Sequence, residues 1–541
     1  MNVCAKKQRA INVFVWLRRR WWSLALLALG AFYLITRLLA LTRLPVFADE
    51  AIYIYWSQLA ASDWQRFAFY PLNDGKTPLL IWLMIPLQFL CRDPLWAGRL
   101  VSVIFGLGQI YVTMLIVSLF STRRRYRLLA GLLVIISPGL LLNSRLALMD
   151  TASTFWVSLT FYLAYRALAC KLTNERHLRF ALKQHWWLLA LAAAVSFGAA
   201  LWTKFSNVLL LPVLATLPFY LLTITDLWNS KKTRRNRAWR DVVWIVTVLG
   251  GIGFLGLCLF ATLKLTPVFS QLFARGGDFL YRLPEFFQEP FSIMARGWQL
   301  FVRVAVNYCG SLLWWVSVVL ALGLAIARRR FRPLLLLLSG LAYCLPIIIL
   351  GKVVYPRYFL PLLPFVIASF CVALSMLRRP SFVPFKIVLV SLLLLIGSFD
   401  LYLQLTALEK WPLLAEDRVQ LIGEWSAGYG IRETVAFLSE RAQTRRLLVL
   451  TEGHIGTLPD GLQIYLWKSP VRNNLRIEGL GAPPVRNFGD WPEIFADFDE
   501  VYLVVNSHRL EWDEATTPGE LVAAYPRPSS DDPTLQVWRV R

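Results

Sequence analysis

Acidic residues are almost missing from the first three-quarters of the chain. Residues 1–403 hold 13 Asp and Glu against 43 Lys and Arg, whereas residues 404–541 hold 20 acids and 14 bases. The net charge of +24 therefore belongs to one part of the chain. A nucleic-acid surface needs such charge gathered on one folded face. Here the bases sit in short clusters between long apolar runs, which excludes that reading. Histidine is scarce: His177, His185, His454 and His508 have no metal-ligand spacing. The seven cysteines (4, 91, 170, 258, 309, 344 and 371) form no CxxC, and none follows residue 403. They imply neither a disulfide framework nor a metal site. No G-x-x-x-x-G-K-[ST] is present, so nothing calls for ATP. "GGIGFLG" at 250–256 has the small-residue spacing of helix packing instead. Long internal repeats are not visible.

What the chain has in abundance is apolar length. It is 57% hydrophobic with mean hydropathy +0.53, above the usual level of about 45–50% for soluble domains. Apolar stretches of roughly 17–25 residues, the length a helical span requires, recur from residue 22 to residue 403. Eleven spans can be drawn, at about 22–44, 95–120, 128–143, 151–169, 187–203, 206–224, 242–263, 304–327, 334–350, 358–377 and 386–403. The basic clusters, among them 123–127, 171–183, 231–240 and 328–332, fall in alternate loops. That bias places those loops and the N-terminus in the cytoplasm and the tail outside. The basic N-terminus imitates a signal peptide, but no small-x-small cleavage site follows, so the first span reads as uncleaved.

The first outer loop carries "AIYIYWSQLAAS" and "TPLLIWLMIPLQFL", which suit two helices lying in the membrane interface. Beyond residue 403, "YGIRETVAFLSERA" has helical periodicity, while "RRLLVLTE", "GLQIYLW", "EVYLVVNS" and "LQVWRV" read as strands. The expected fold is an α-helical polytopic membrane protein of about 11 transmembrane helices, residues 1–403, with a C-terminal soluble α/β domain, residues 404–541.

Ten of the 13 acids before residue 404 fall on the outer side. Transporters usually keep ionisable groups near the membrane midplane; here they gather at one surface, where a lipid head group would be. Asp49 and Glu50 follow the first span. Asp49 reads equally as the N-cap of the next helix, with Glu50 in its first turn. Asp150 lies in "NSRLALMDTASTFW", where it also suits a helix start, and Arg145 before it suits an interfacial anchor. Lys76 in "NDGKTPLLIW", Lys204 in "WTKFSN", and Lys352, Arg357 and Tyr358 in "GKVVYPRYFLPLLPF" bring cations to separate outer segments. Several cations sharing a surface with a carboxylate pair suit an anionic group, most naturally phosphate.

These elements together resemble the GT-C glycosyltransferases: an acidic pair after the first span, Gly-Lys-x-Pro, Arg-x-Ala-x-x-Asp and a late Arg-Tyr-x-x-Pro. The branch they are most similar to holds the protein O-mannosyltransferases and the lipid A aminoarabinose transferases. The resemblance covers residues 20–400. It implies an inverting membrane enzyme that moves a monosaccharide from a polyprenyl-phosphate donor to an acceptor hydroxyl outside the cytoplasm. The acceptor would be a glycan, glycolipid or protein. Carried over by position, Asp49, with Glu50 and Asp150, would be the catalytic acids. Lys76, Lys204, Arg357 and Tyr358 would surround the donor phosphate, and Arg145, Asn73 and Tyr53 would contact acceptor or sugar. Lys352 has no corresponding position. No cofactor is implied as required, and a divalent cation stays open. The alternative is a transporter or flippase of a lipid-linked sugar. The implied location is the plasma membrane, with an extracytoplasmic tail.

Overall fold

The computed structural model describes residues 2–172, 185–222, 235–512 and 518–541. Residues 173–183 and 231–234 of the basic clusters fall outside these, as do Glu175, His177 and Asp226. The chain is a multi-pass membrane protein. Among the described residues, eight helices are long and apolar enough to cross a bilayer, from Arg20–Leu38 to Pro380–Thr406. Pro356–Met376 is the central one, 94% buried, while Arg240–Leu265 and Pro380–Thr406 turn most of their surface outward.

Three of the drawn spans differ in form. The run 128–143 breaks between Arg124–Ile136 and Pro138–Asn143, because Pro138 has no N–H to continue the ladder. The described part of the run drawn at 206–224 folds as short pieces, Phe205–Leu209, Leu210–Leu214 and Leu217–Leu222. The span drawn at 304–327 is two helices, Pro290–Cys309 and Ser311–Arg328, meeting at Gly310. Gly310 adopts φ +85°, which side chains with a Cβ rarely accept. Periodicity alone does not show a break where both halves are apolar.

The two expected helices of the first outer loop are present, as Ala48–Ser62 and Leu79–Leu90. The first does not lie on lipid. Ten of its 15 residues are buried. It packs between Leu79–Leu90, the long helix Pro94–Phe120 and the helix Asp460–Leu466 of the C-terminal region. Apolar residues occur around most of its circumference, so it is buried over most of its surface.

The C-terminal region forms a five-stranded sheet: β1 Leu447–Thr451, β2 Leu475–Gly479, β3 Glu500–Asn506, β4 Glu520–Tyr525 and β5 Leu535–Arg539. The order is β2-β1-β3-β5-β4, with β1 parallel to β2 and β3, and β5 antiparallel to β3 and β4. β1 and β3 are buried along their whole length, as interior strands of a covered sheet are. The run "GLQIYLW", read as a strand, is the helix Asp460–Leu466; a short apolar run fits either element until its neighbours are known. β2 and β4 were not expected, because "LRIEG" and "ELVAAY" carry charge or alanine where strand formers are usual. The expected helix is Ile431–Arg441.

One side of the sheet shares a core with the membrane part. Leu447, Val449, Tyr502 and Val504 join Val46, Phe47, Ile54 and Leu146 in one cluster. Backbone bonds close the seam: Ala48 N donates to Ser426 O at 2.9 Å and Gly428 N to Val46 O at 2.9 Å. Asp460 lies within this shared layer and accepts from Gly456 N at 2.8 Å. Burial pushes its carboxyl up to about 7. The folded form therefore holds that proton more tightly than the unfolded chain does. The associated stability is present below about pH 4 and is lost as pH rises through about 7. The midpoint of thermal unfolding should fall between pH 5 and pH 8, and Asp460→Asn should flatten that part of the curve.

Candidate active site

The site is assembled from the buried end of an apolar helix. Arg99, on Pro94–Phe120, is fully enclosed, and so is Glu50. Nε and one terminal nitrogen of Arg99 donate to the two oxygens of Glu50, at 2.8 and 2.6 Å. The other guanidinium protons reach the carbonyls of Leu41, Leu44 and Pro45 at 2.8–2.9 Å. Glu50 also accepts from Phe47 N at 3.0 Å and Ala147 N at 2.6 Å. A buried pair is tolerable when its remaining donors and acceptors are met, and here they are. The pair ties the turn before Ala48–Ser62 to the turn before Met149–Leu172. Asp49 and Asp150, each beside one of those turns, then share a single space.

Arg357 occupies that space. It opens the 3₁₀ turn Pro356–Leu362 at the head of the central helix. One terminal nitrogen donates to Asp49 Oδ2 at 2.8 Å, and Nε lies 3.6 Å from Asp150 Oδ2. The other oxygen of Asp150 accepts from Lys204 Nζ at 2.7 Å. Lys204 in turn sits 4.1 Å from the ring centre of Tyr358. Burial pulls the Lys204 ammonium below its ordinary value, while Asp150 acts in the opposite sense. Arg357 lies 4.6 Å from the ring centre of Tyr355 and 5.4 Å from that of Phe47. Tyr53 is buried within electrostatic reach of Asp49, Arg357 and Asp150.

Lys76 follows Gly75, whose φ of +71° ends the turn Tyr70–Asp74. Its ammonium lies 5.6 Å from the ring centre of Phe279 and within electrostatic reach of Lys204. Among the described residues no carboxylate pairs with it. Asn73 is exposed on the same turn, with no contact to the carboxylates. Lys352 stands 3.7 Å from Glu285, apart from the cluster.

The structure brings Asp49, Asp150, Lys204, Arg357, Tyr358 and Tyr53 together, with Lys76 at the edge. It separates Glu50, Arg145 and Asn73 from them. Glu50 is enclosed, and both of its oxygens are taken up by Arg99, Phe47 N and Ala147 N. Arg145 donates to the carbonyls of Thr36, Arg37, Leu39 and Ala40 at 2.8–3.2 Å, closing the end of the first helix as an anchor. The helix Ala48–Ser62 is capped by Phe47 and Glu50, which leaves the Asp49 carboxylate free for Arg357. Sequence reasoning passed over Arg37 and Arg99. Both lie inside apolar runs, and the rule that such charges need a nearby partner would have found them.

Asp49 and Asp150 both face cations, and Glu50 is enclosed. Among the described residues no three His, Cys, Asp or Glu come together as metal ligands. A divalent ion would have to displace Arg357 and Lys204, so this donor set does not fit a resident metal.

Fold and site define a multi-pass membrane protein with a charged centre at one end of the helices. The family model for dolichyl-phosphate-mannose-protein mannosyltransferase matches residues 73–267. Undecaprenyl phosphate-alpha-4-amino-4-deoxy-L-arabinose arabinosyl transferase of Pseudomonas aeruginosa is 29% identical over 433 residues, 76% of this chain and 71% of that one. ArnT from Cupriavidus metallidurans, solved bound to undecaprenyl phosphate, superposes with a TM-score of 0.57 at 15% identity, covering 96% of this chain and 98% of its own. The oligosaccharyltransferase AglB from Archaeoglobus fulgidus superposes with a TM-score of 0.52 at 13% identity, covering 91% and 70%. The chain is thus similar in sequence to polyprenyl-phosphate-dependent glycosyltransferases and shares the fold of ArnT and AglB.

Replacing Glu50 with alanine would leave Arg99 buried and unpaired. The expected loss is about 3–5 kcal/mol, seen as a lower unfolding midpoint and a lower yield of folded protein in detergent. Asp49→Asn should keep the wild-type midpoint.

Proposed function

We propose that the protein transfers a monosaccharide from a polyprenyl-phosphate donor to an acceptor hydroxyl at the outer surface of the cell membrane, with inversion at the anomeric carbon. The observation that carries this reading is the Asp49–Arg357–Asp150–Lys204 chain of charges at one end of the helix bundle. A transporter would need its ionisable groups along a path through the membrane middle.

The chemistry follows from the leaving group. A lipid phosphate departs without being protonated, so one carboxylate suffices as base. Asp49 takes the proton from the acceptor hydroxyl as its oxygen attacks the anomeric carbon. The bond from that carbon to the phosphate oxygen breaks on the opposite face, and the phosphate keeps the electron pair. Arg357 and Lys204 meet the charge that gathers there, with Lys76 completing the cationic side. A preorganised donor in a site closed to water contributes about 3–4 kcal/mol to such a step. Arg357 binds Asp49; a donor phosphate that draws Arg357 away frees the base at the moment of need. Asp150 holds Lys204 and the far edge of Arg357 and faces the acceptor side. The aromatic rings of Tyr53, Tyr355 and Tyr358 wall the space, while the prenyl chain stays in lipid. The relatives' 4-amino-4-deoxy-L-arabinose is the first donor sugar to test.

Asp49→Asn should lower kcat by about 10²–10⁴-fold with donor binding largely kept. The check is transfer from radiolabelled polyprenyl-phosphate sugars in a reconstituted assay, and near-normal turnover would refute the base assignment. Arg357→Ala and Lys76→Ala should weaken donor use more than acceptor use; equal effects on the two KM values would speak against a phosphate role. A reporter fused after Arg541 should be active only outside the cytoplasm.

A further inference from the structure

We infer that Gln420, in the C-terminal region, is a positioning residue for Arg357, and that this region thereby completes the active site. The inference rests on the reading of Arg357 as the group that meets the donor phosphate.

Arg357 has three sides to satisfy. Asp49 takes one terminal nitrogen and Asp150 faces Nε. The other terminal nitrogen donates to the side-chain oxygen of Gln420. Gln420 lies in the short turn Val419–Gly423, more than sixty residues beyond Arg357 and outside every span. The turn is held from several directions. Ser426 Oγ donates to Gln420 O at 2.9 Å. Ser426 O accepts from Ala48 N, one residue from Asp49. On the other side, Tyr308 donates to the buried Asp417 at 2.9 Å.

The identity of the side chain matters. A guanidinium is a planar fork that presents its donors in fixed directions. Two carboxylates pull on it from one side, and left to them it would settle fully onto Asp49 and Asp150. It would then mask the base and be lost to a phosphate. An amide oxygen on the third side holds the plane between these partners and adds no negative charge. A glutamate in its place would compete with the donor phosphate for Arg357. Alanine would let the fork collapse onto the carboxylates.

The two substitutions should therefore fail differently, which a role in folding alone would not produce. Gln420→Ala should lower kcat by about 10–100-fold and raise donor KM with it, whereas the defect of the glutamate variant lies in donor KM alone. Gln420→Glu should raise donor KM by about tenfold or more, with acceptor KM unmoved. Both should unfold at the wild-type temperature. The assay uses full-length protein with a polyprenyl-phosphate sugar shown to support transfer by the wild type, and Asp49→Asn as the inactive reference. If no polyprenyl-phosphate sugar supports transfer by the wild type, the reading of the function itself fails, and if wild type and Asp49→Asn do not differ, the reading of this cluster as the active site fails. If they differ while both Gln420 variants keep wild-type kcat and donor KM, only the role of Gln420 is overturned. It is equally overturned if both variants lose thermal stability while the folded fraction turns over normally.

Discussion

The buried bond between Glu50 and Arg99 is the constraint on which the site depends. Neither residue touches the space where chemistry would occur. Arg99 draws together three carbonyls of the turn after the first helix, and Glu50 bridges that turn to the one before Asp150. Removing two charges from water is costly, so such a pair persists only where every remaining proton and lone pair is met. Its geometry is correspondingly strict. Asp49 follows from Glu50 by a single peptide, and Asp150 from Ala147 by three. The separation of Asp49 and Asp150 is thus inherited from the enclosed Glu50–Arg99 pair.

The second consequence concerns the C-terminal region. It is tied into the molecule by a shared apolar cluster and by backbone bonds at Val46 and Ala48. The helix that begins with Asp49 is one wall of that cluster. Sheet and site therefore form one structural unit, and a side chain from residue 420 reaches an arginine at the head of a membrane helix.

Charge is arranged with economy. Arg357 sits between two acids, and Lys204 is paired with one of them, so the four charges nearly cancel. A neutral cluster is far cheaper to bury than a set of bare cations. The same cluster becomes cationic toward a ligand that separates Arg357 from Asp49. An anionic lipid head group at the membrane surface fits that requirement, and it arrives already confined to the plane in which the site lies.

Much of this was legible in the amino-acid order. Apolar length and the bias of basic loops marked the membrane part, because a bilayer imposes one thickness and one sign on any chain that crosses it. The scarcity of acid before residue 404 drew the eye to Asp49 and Asp150, and the Gly, Pro and aromatic residues around them drew it to Lys204, Arg357 and Tyr358. Local pattern could not separate Asp49 from Glu50. They are neighbours of the same chemistry, and only the position of Arg99, 49 residues away, decides which is enclosed and which is free. Nor could it tell that "GLQIYLW" is a helix, that Gly310 divides an apolar run, or that Arg145 closes a helix end instead of facing a substrate. Period and composition describe an element's faces. What covers each face, and which charges meet across it, is decided by contacts between residues far apart in the chain.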